Sequence, residues 1–286
     1  MGAGLLARYP QAKSYFDRAS AVLGYDLLEL CLKGPEDRLN ATVYSQPALF
    51  VHSIASLASL KESQPELLAS VVGAAGLSLG EYSALAAAGV LDFEDGVRLV
   101  QERGAAMQAA ADSQPSGMAS VLGLSIDDVR AVCAAACLPG EILEVANLLC
   151  PGNTAISGHK ASLEAAEAIA IQKGAMKFVR LAVAGAFHTS IMEPAVDRLK
   201  KAIAAVPMQQ AAFPIYTNVD AAAHAQSEQF SELLAQQVVT PVLWEASLRA
   251  LIADGAEQFY EVGPGRVLAG TLKRIERKIA CECVGD

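Results

Sequence analysis

No apolar run in the sequence approaches the roughly 20 residues that a helix needs to cross a bilayer, and no charged segment followed by an apolar stretch opens the chain. A soluble globular protein of the cytoplasm is therefore expected, with no membrane partner. Aromatic residues are scarce, at 6%, while alanine is abundant. That balance suits helices packed closely on a sheet better than an all-β sandwich, and it favours the α/β class. Basic residues are outnumbered, with 22 Lys and Arg against 31 Asp and Glu and a formal charge of −9. Electrostatics of that sign disfavour nucleic acid as a partner, and an acidic partner would need a local basic patch. The six cysteines, Cys31, Cys133, Cys137, Cys150, Cys281 and Cys283, lack the paired spacing and accompanying histidines of a zinc site, so no metal is expected.

What is present is enough hydrophobic residue, 53% of 286, to bury one large core or two unequal lobes. Residues 1 to 70 read as helices punctuated by Gly24, Gly34-Pro35 and Pro65. Met1-Gly2-Ala3-Gly4 runs straight into a helical pattern, Leu5, Leu6, Tyr9, Ala12 and Phe16, with no strand before it. Val71 to Ala75 is a short apolar run suited to a buried parallel strand; a turn follows at Gly76, then a helix from Glu81 and another over Val90 to Ala111.

From Ser116-Gly117 the texture changes. Met118 to Leu124 reads as a strand, Asp127 to Cys137 as a helix, and Ile142 to Ala146 and Asn153 to Ser157 as strands. Ala161 to Lys173 then reads as a helix and Lys177 to Val183 as a strand. The order β-α-β-β-α-β matches a ferredoxin-like unit, which predicts an inserted small domain over 116–184. The main domain, 1–115 plus 185–286, resumes with a helix at Ala195 to Val206, a strand at Ile215 to Asn218 and a helix at Ser231 to Val238. A strand at Gln258 to Val262 and a last amphipathic helix over Arg266 to Lys278 complete it, around an expected parallel sheet of hydrolase-like build.

The strongest chemical signal is Gly76-Leu77-Ser78-Leu79-Gly80 between a predicted strand and helix. A nucleophile elbow needs glycines because its turn is tight, and it lifts the serine oxygen to a helix N-terminus where the Leu79 N–H can face an oxyanion. An ordinary glycine-rich turn with a buried serine has the same five residues; the flanking strand and helix favour the elbow. Serine needs a base within hydrogen-bond reach. Of the four histidines, His52, His159 and His224 read as packing or surface residues. His188 follows the exit from the insert, in Gly185-Ala186-Phe187-His188, and is the expected base.

Taken together, Gly76 to Leu85, Arg103-Gly104 with Met107-Gln108, Ala186-Phe187-His188, Thr217 to Asp220 and Tyr260 to Gly265 resemble the malonyl-CoA:acyl carrier protein transacylase family, which includes the acyltransferase domains of polyketide synthases. The resemblance covers essentially the whole chain in the family's motif order. It implies an acyltransferase that moves a malonyl group from malonyl-CoA to the phosphopantetheine thiol of an acyl carrier protein through a serine ester, in fatty acid synthesis, with no cofactor. Residue by residue, it implies Ser78 as nucleophile, His188 as base and then acid, and Arg103 as the holder of the malonyl carboxylate, where a planar, permanently charged fork is suited to bidentate pairing. A salt bridge from Arg103 to a neighbour such as Glu102 is the structural alternative. The resemblance also implies that the main-chain carbonyl of Gln237 orients His188, with no required part for its side chain. Asn218 is implied beside the pocket, Asn147 along the cleft, and Phe187 as bulk that favours malonyl over a branched acyl group.

Two departures stand out. Leu77 occupies the position where the family usually has histidine, and the family's opening strand, with the glutamine loop that gives a second oxyanion donor, is missing. About fifteen further residues upstream are expected on that account. A serine esterase or thioesterase is one rival, although such enzymes usually place the histidine near the C-terminus after an acidic residue. A carrier-binding module without turnover is the other, and it would have no need of Ser78, Arg103 and His188 together.

Overall fold

The computed structural model describes residues 1–285. Its amino-terminal region is helical, and each helix follows from local pattern. Ala12–Leu23 buries Ala12, Phe16, Ala19 and Leu23, one stripe at helical spacing, and stops at Gly24, which takes the left-handed conformation a side chain resists. Thr42–Ser63 lies along Phe93–Asp112, and two glycines permit the close approach. A Cβ on Gly96 would meet the Phe50 ring at 2.3 Å, and one on Gly104 would meet the Thr42 carbonyl oxygen at 2.9 Å.

Nine strands occur among the described residues: β1 (Ala74–Ala75), β2 (Ser116–Leu122), β3 (Leu143–Cys150), β4 (Asn153–His159), β5 (Lys177–Arg180), β6 (Ile215–Tyr216), β7 (Ala223–His224), β8 (Gln258–Val262) and β9 (Ala280–Val284). They form three sheets, ordered β1-β6-β7, β3-β4-β2-β5 and β8-β9. The four-stranded sheet is antiparallel throughout. Its strand β2 is buried on both faces from Met118 to Val121: Ala119 and Val121 pack under the helices Ile126–Ala136 and Lys160–Gln172, while Met118 packs with Ala146, Ala155 and Phe187.

The expectation of one parallel sheet in the remainder is corrected. Only β1–β6 and β8–β9 pair in parallel, β7 is antiparallel, and the strand predicted over Val71 to Ala75 is reduced to two residues. The reason is lateral: among the described residues β1 pairs only with β6 and β8 only with β9. Between them lies a cavity of about 660 Å³, lined among others by Gly73, Ala75, Leu77, Phe259 and Tyr260. Strand β9, strand β7 and the helix Trp244–Ala253 were not anticipated either. In β9 the signal was a short alternation, with Cys281 and Cys283 partly buried and Ala280 and Glu282 exposed.

Candidate active site

The chain turns from β1 into the helix Gly80–Ala87 within four residues, and the turn is strained at its centre, where Ser78 has φ 50°. Gly76 cannot be replaced without cost, because a Cβ there would lie 1.9 Å from the Gly80 carbonyl carbon. Asn218, just beyond β6, staples the turn from outside. Its Nδ2 donates to the Gly76 carbonyl at 2.8 Å, and its Oδ1 accepts from the Ser78 N–H at 2.7 Å. Leu79 sits at the N-cap of the following helix, and no acceptor among the described residues takes its N–H. That donor is available to a developing oxyanion. Leu77 packs into the apolar cluster around Tyr216, Trp244 and Leu248.

His188 reaches the elbow across 110 positions of sequence, with Nε2 at 2.8 Å from Ser78 Oγ. It too is in the left-handed region, φ 63°, and its N–H donates to the Val238 carbonyl. Nδ1 stands 2.8 Å from the main-chain oxygen of Gln237, which can only accept. The ring proton is therefore on Nδ1, and Nε2 offers its lone pair to the serine hydroxyl. Burial, and secondarily the charge of Arg103, push the His188 pKa down to about 4, so the imidazole is neutral near pH 7, as a base must be. The other histidines lie elsewhere. His52 contacts Ser56 inside its own helix, His159 accepts from the Ile142 N–H, and His224, in β7, pairs with Asp220.

Arg103 is 1% exposed, yet all its direct partners are neutral. Nη1 donates to Gln46 Oε1 at 2.7 Å, and Nη2 to Gln237 Oε1 at 2.8 Å and Ser78 Oγ at 3.0 Å. The Tyr82 ring lies 5.3 Å from its guanidinium carbon. Glu102, the neighbour that could have paired with it, instead holds Arg198 at 2.8 Å. Arg103 thus carries a buried positive charge beside the nucleophile with no carboxylate in direct contact, an arrangement suited to an anionic acyl group.

Two residues of this network went unassigned in the sequence. Gln46 meets Arg103 across 57 positions with no motif to mark it. Glu81 is fully buried; its Oε2 accepts from Gln237 Nε2 and from the Asn218 N–H, both at 2.9 Å, and burial pushes its carboxyl up to about 7. The Gln237 side chain is engaged as well as its carbonyl. Phe187 is half-buried between the small sheet and the main core. Asn147 is buried on β3, bridged through its backbone to Val242, and no hydrogen bond links its side chain to Ser78, Arg103 or His188. The large cavity touches the elbow at Gly76, Leu77, Leu79 and Gly80, and none of Ser78, Arg103 and His188 lines it.

A mixed α/β fold with a serine–histidine pair at a helix N-terminus and a buried arginine beside it is the framework of an acyl-transferring enzyme. The acyl transferase domain model matches residues 1–285. The human mitochondrial malonyl-CoA-acyl carrier protein transacylase is 41% identical over 289 residues, spanning 96% of this chain and 73% of its own. The Escherichia coli K12 malonyl CoA-acyl carrier protein transacylase is 38% identical over 286 residues, 100% of this chain and 91% of its own. Among solved structures, a malonyl-transacylase in complex with a type II PKS acyl-carrier protein superposes with a TM-score of 0.94 at 35% identity, covering 99% of this chain and 90% of that one. The Coxiella burnetii malonyl CoA-acyl carrier protein transacylase gives 0.92 at 34%, covering 98% and 87%. This chain belongs to the acyl transferase family that these malonyl-CoA-acyl carrier protein transacylases share.

Proposed function

We propose that this chain is an acyltransferase that moves the malonyl group of malonyl-CoA onto the phosphopantetheine thiol of an acyl carrier protein, in fatty acid synthesis, by way of a malonyl ester on Ser78. The observation that carries the reading is the 2.8 Å contact between Ser78 Oγ and His188 Nε2 beside the uncompensated charge of Arg103.

In this reading Ser78 Oγ attacks the thioester carbonyl carbon while His188 Nε2 takes its proton. The Leu79 N–H meets the oxygen as it becomes negative, and Arg103 exchanges its contact with Ser78 for the malonyl carboxylate. Collapse of the tetrahedral adduct expels the coenzyme A thiolate, which takes the proton back from His188. The pantetheine thiol then gives its proton to His188, attacks the ester and leaves with the malonyl group, restoring Ser78. Asn218 and the Gln237 carbonyl hold the reacting pair, Phe187 limits branching on the acyl chain, and Asn147 lines the route between the lobes.

The reading includes a ferredoxin-like insert over 116–184 on a hydrolase-like main domain, supported by the β3-β4-β2-β5 order and its two helices on one face. It needs no cofactor. Among the described residues no helix is long and apolar enough to cross a membrane.

Intact-mass measurement after mixing with malonyl-CoA tests the reading. A malonyl adduct that maps to Ser78 and is lost in Ser78→Ala is expected. Free malonate without an adduct would favour a hydrolase, and no reaction would favour a binding module.

A further inference from the structure

Among the described residues Glu81 is the one carboxylate hydrogen-bonded into the network around Arg103, and nothing in the transfer steps uses it. Its position is defined by two donors. Oε2 accepts from Gln237 Nε2 and from the Asn218 N–H, both at 2.9 Å, while Oε1 is buried without a partner. The second Gln237 amide hydrogen goes to the Ser78 carbonyl at 3.0 Å. With both hydrogens so placed, Gln237 Oε1 faces Arg103 Nη2 at 2.8 Å. A carboxylate can only accept from an amide N–H, and an arginine can only donate, so the orientation of the Gln237 amide is forced from both ends.

We propose that Glu81 is a positioning residue for acyl selectivity: it fixes the Gln237 amide so that its oxygen, and not its NH2, faces Arg103, which holds the guanidinium ready for an anionic acyl group. Without an acceptor at this place, Gln237 Nε2 keeps the Ser78 carbonyl and only a long contact of 3.4 Å to Asn218 Oδ1, and the amide is held less firmly against rotation. Rotation would set two sets of donors against each other, and Arg103 would leave its place beside Ser78. The acceptor oxygen matters here, and the charge does not. Burial pushes the carboxyl up to about 7, so near that pH it exists in both the charged and the neutral form, and Oε2 can accept from both donors in either.

The inference rests on the proposed malonyl transfer, and three variants of the full chain test it separately from that reading. Glu81→Met fills the space without accepting; Glu81→Asp keeps the charge but withdraws the oxygen from Gln237; Glu81→Gln keeps an acceptor without the charge. Self-acylation with malonyl-CoA and with acetyl-CoA is measured as kcat and KM. The Met and Asp variants are expected to lose about tenfold or more of the malonyl-over-acetyl preference, the scale of one buried hydrogen bond, mainly through KM for malonyl-CoA. The Gln variant is expected to keep the preference. Equal losses for both donors in the Met and Asp variants would reduce Glu81 to a structural role and overturn the proposal, as would loss of the preference in the Gln variant. Should the Met variant not fold, the Asp and Gln pair decides: a competent Asp variant with a defective Gln variant overturns it. Failure of the unaltered protein to take malonyl from malonyl-CoA would instead defeat the functional reading itself.

Discussion

Arg103 donates from Nη2 to the oxygen of Ser78 at 3.0 Å, which joins the cation directly to the nucleophile. The same hydroxyl donates its hydrogen to His188 Nε2 at 2.8 Å, which leaves it polarised from both sides. Formation of the ester removes that proton and, with one Nη2 hydrogen kept on Gln237 Oε1, releases the other from Oγ, which is now a weaker acceptor. The group that replaces it on the guanidinium should then carry negative charge, which ties acyl selectivity to the nucleophile's own hydrogen-bond partner.

Replacing Arg103 with Ala should lower kcat/KM for malonyl-CoA by about 10- to 100-fold, the range for one charged hydrogen bond, and leave acetyl-CoA far less affected. Paired self-acylation assays with the two donors check it. Equal losses would show that Arg103 supports the fold and not the substrate.

A second expectation concerns pH. His188 works as a base only when neutral, and its pKa lies at about 4, below the ordinary 6.5, through burial and then the Arg103 charge. Activity in kcat/KM should therefore persist as pH falls past 6.5 and disappear only toward about 4. Loss of the Arg103 charge removes one of the two depressing causes, so the acid limb should move upward in Arg103→Ala. Acetyl-CoA is the donor to use, since it has no carboxylate of its own to titrate. An unchanged limb in that variant would place the two residues out of electrostatic contact.

How far this site was legible in the sequence differs from residue to residue. Ser78 was marked by glycines on both sides, and Gly76 shows why: only there does the Gly80 carbonyl come within 1.9 Å of a would-be Cβ. His188 was found by its place after the insert and by elimination. The role of Gln237 came from family resemblance alone, because any residue has a carbonyl. Gln46 and Glu81 were missed, since a buried polar side chain declares itself only through partners that lie 57 and 156 positions away. The four-stranded sheet was foreshadowed by the β-α-β-β-α-β order of strand-like and helical stretches from Met118 to Val183. The broken pairing of β1 and β8 was not, because strand neighbours are set by the fold and not by the apolar run itself.

The basic residues of the last helix give a further test. Lys273 and Arg274 in the helix Val267–Ile275, with Arg277 and Lys278 just beyond, are all exposed, and no ion pair holds any of them among the described residues. Arg274 donates to the Pro151 carbonyl at 2.8 Å, which joins this patch to the turn between β3 and β4. On a chain of net charge −9 this local excess is the expected docking place for an acidic carrier. Reversing Lys273 and Arg274 to Glu should raise KM for the carrier protein, more so at low salt, and leave self-acylation from malonyl-CoA nearly unchanged. An unaltered carrier KM at low ionic strength would put docking elsewhere.

The central claim is that a malonyl ester on Ser78 is handed to a carrier thiol. It is tested most directly by isolating the malonylated protein, adding phosphopantetheinylated acyl carrier protein, and following both species by intact mass. The account predicts that the Ser78 adduct disappears as malonyl-carrier protein appears in equal amount. An adduct that decays to free malonate at the same rate with and without the carrier would contradict it.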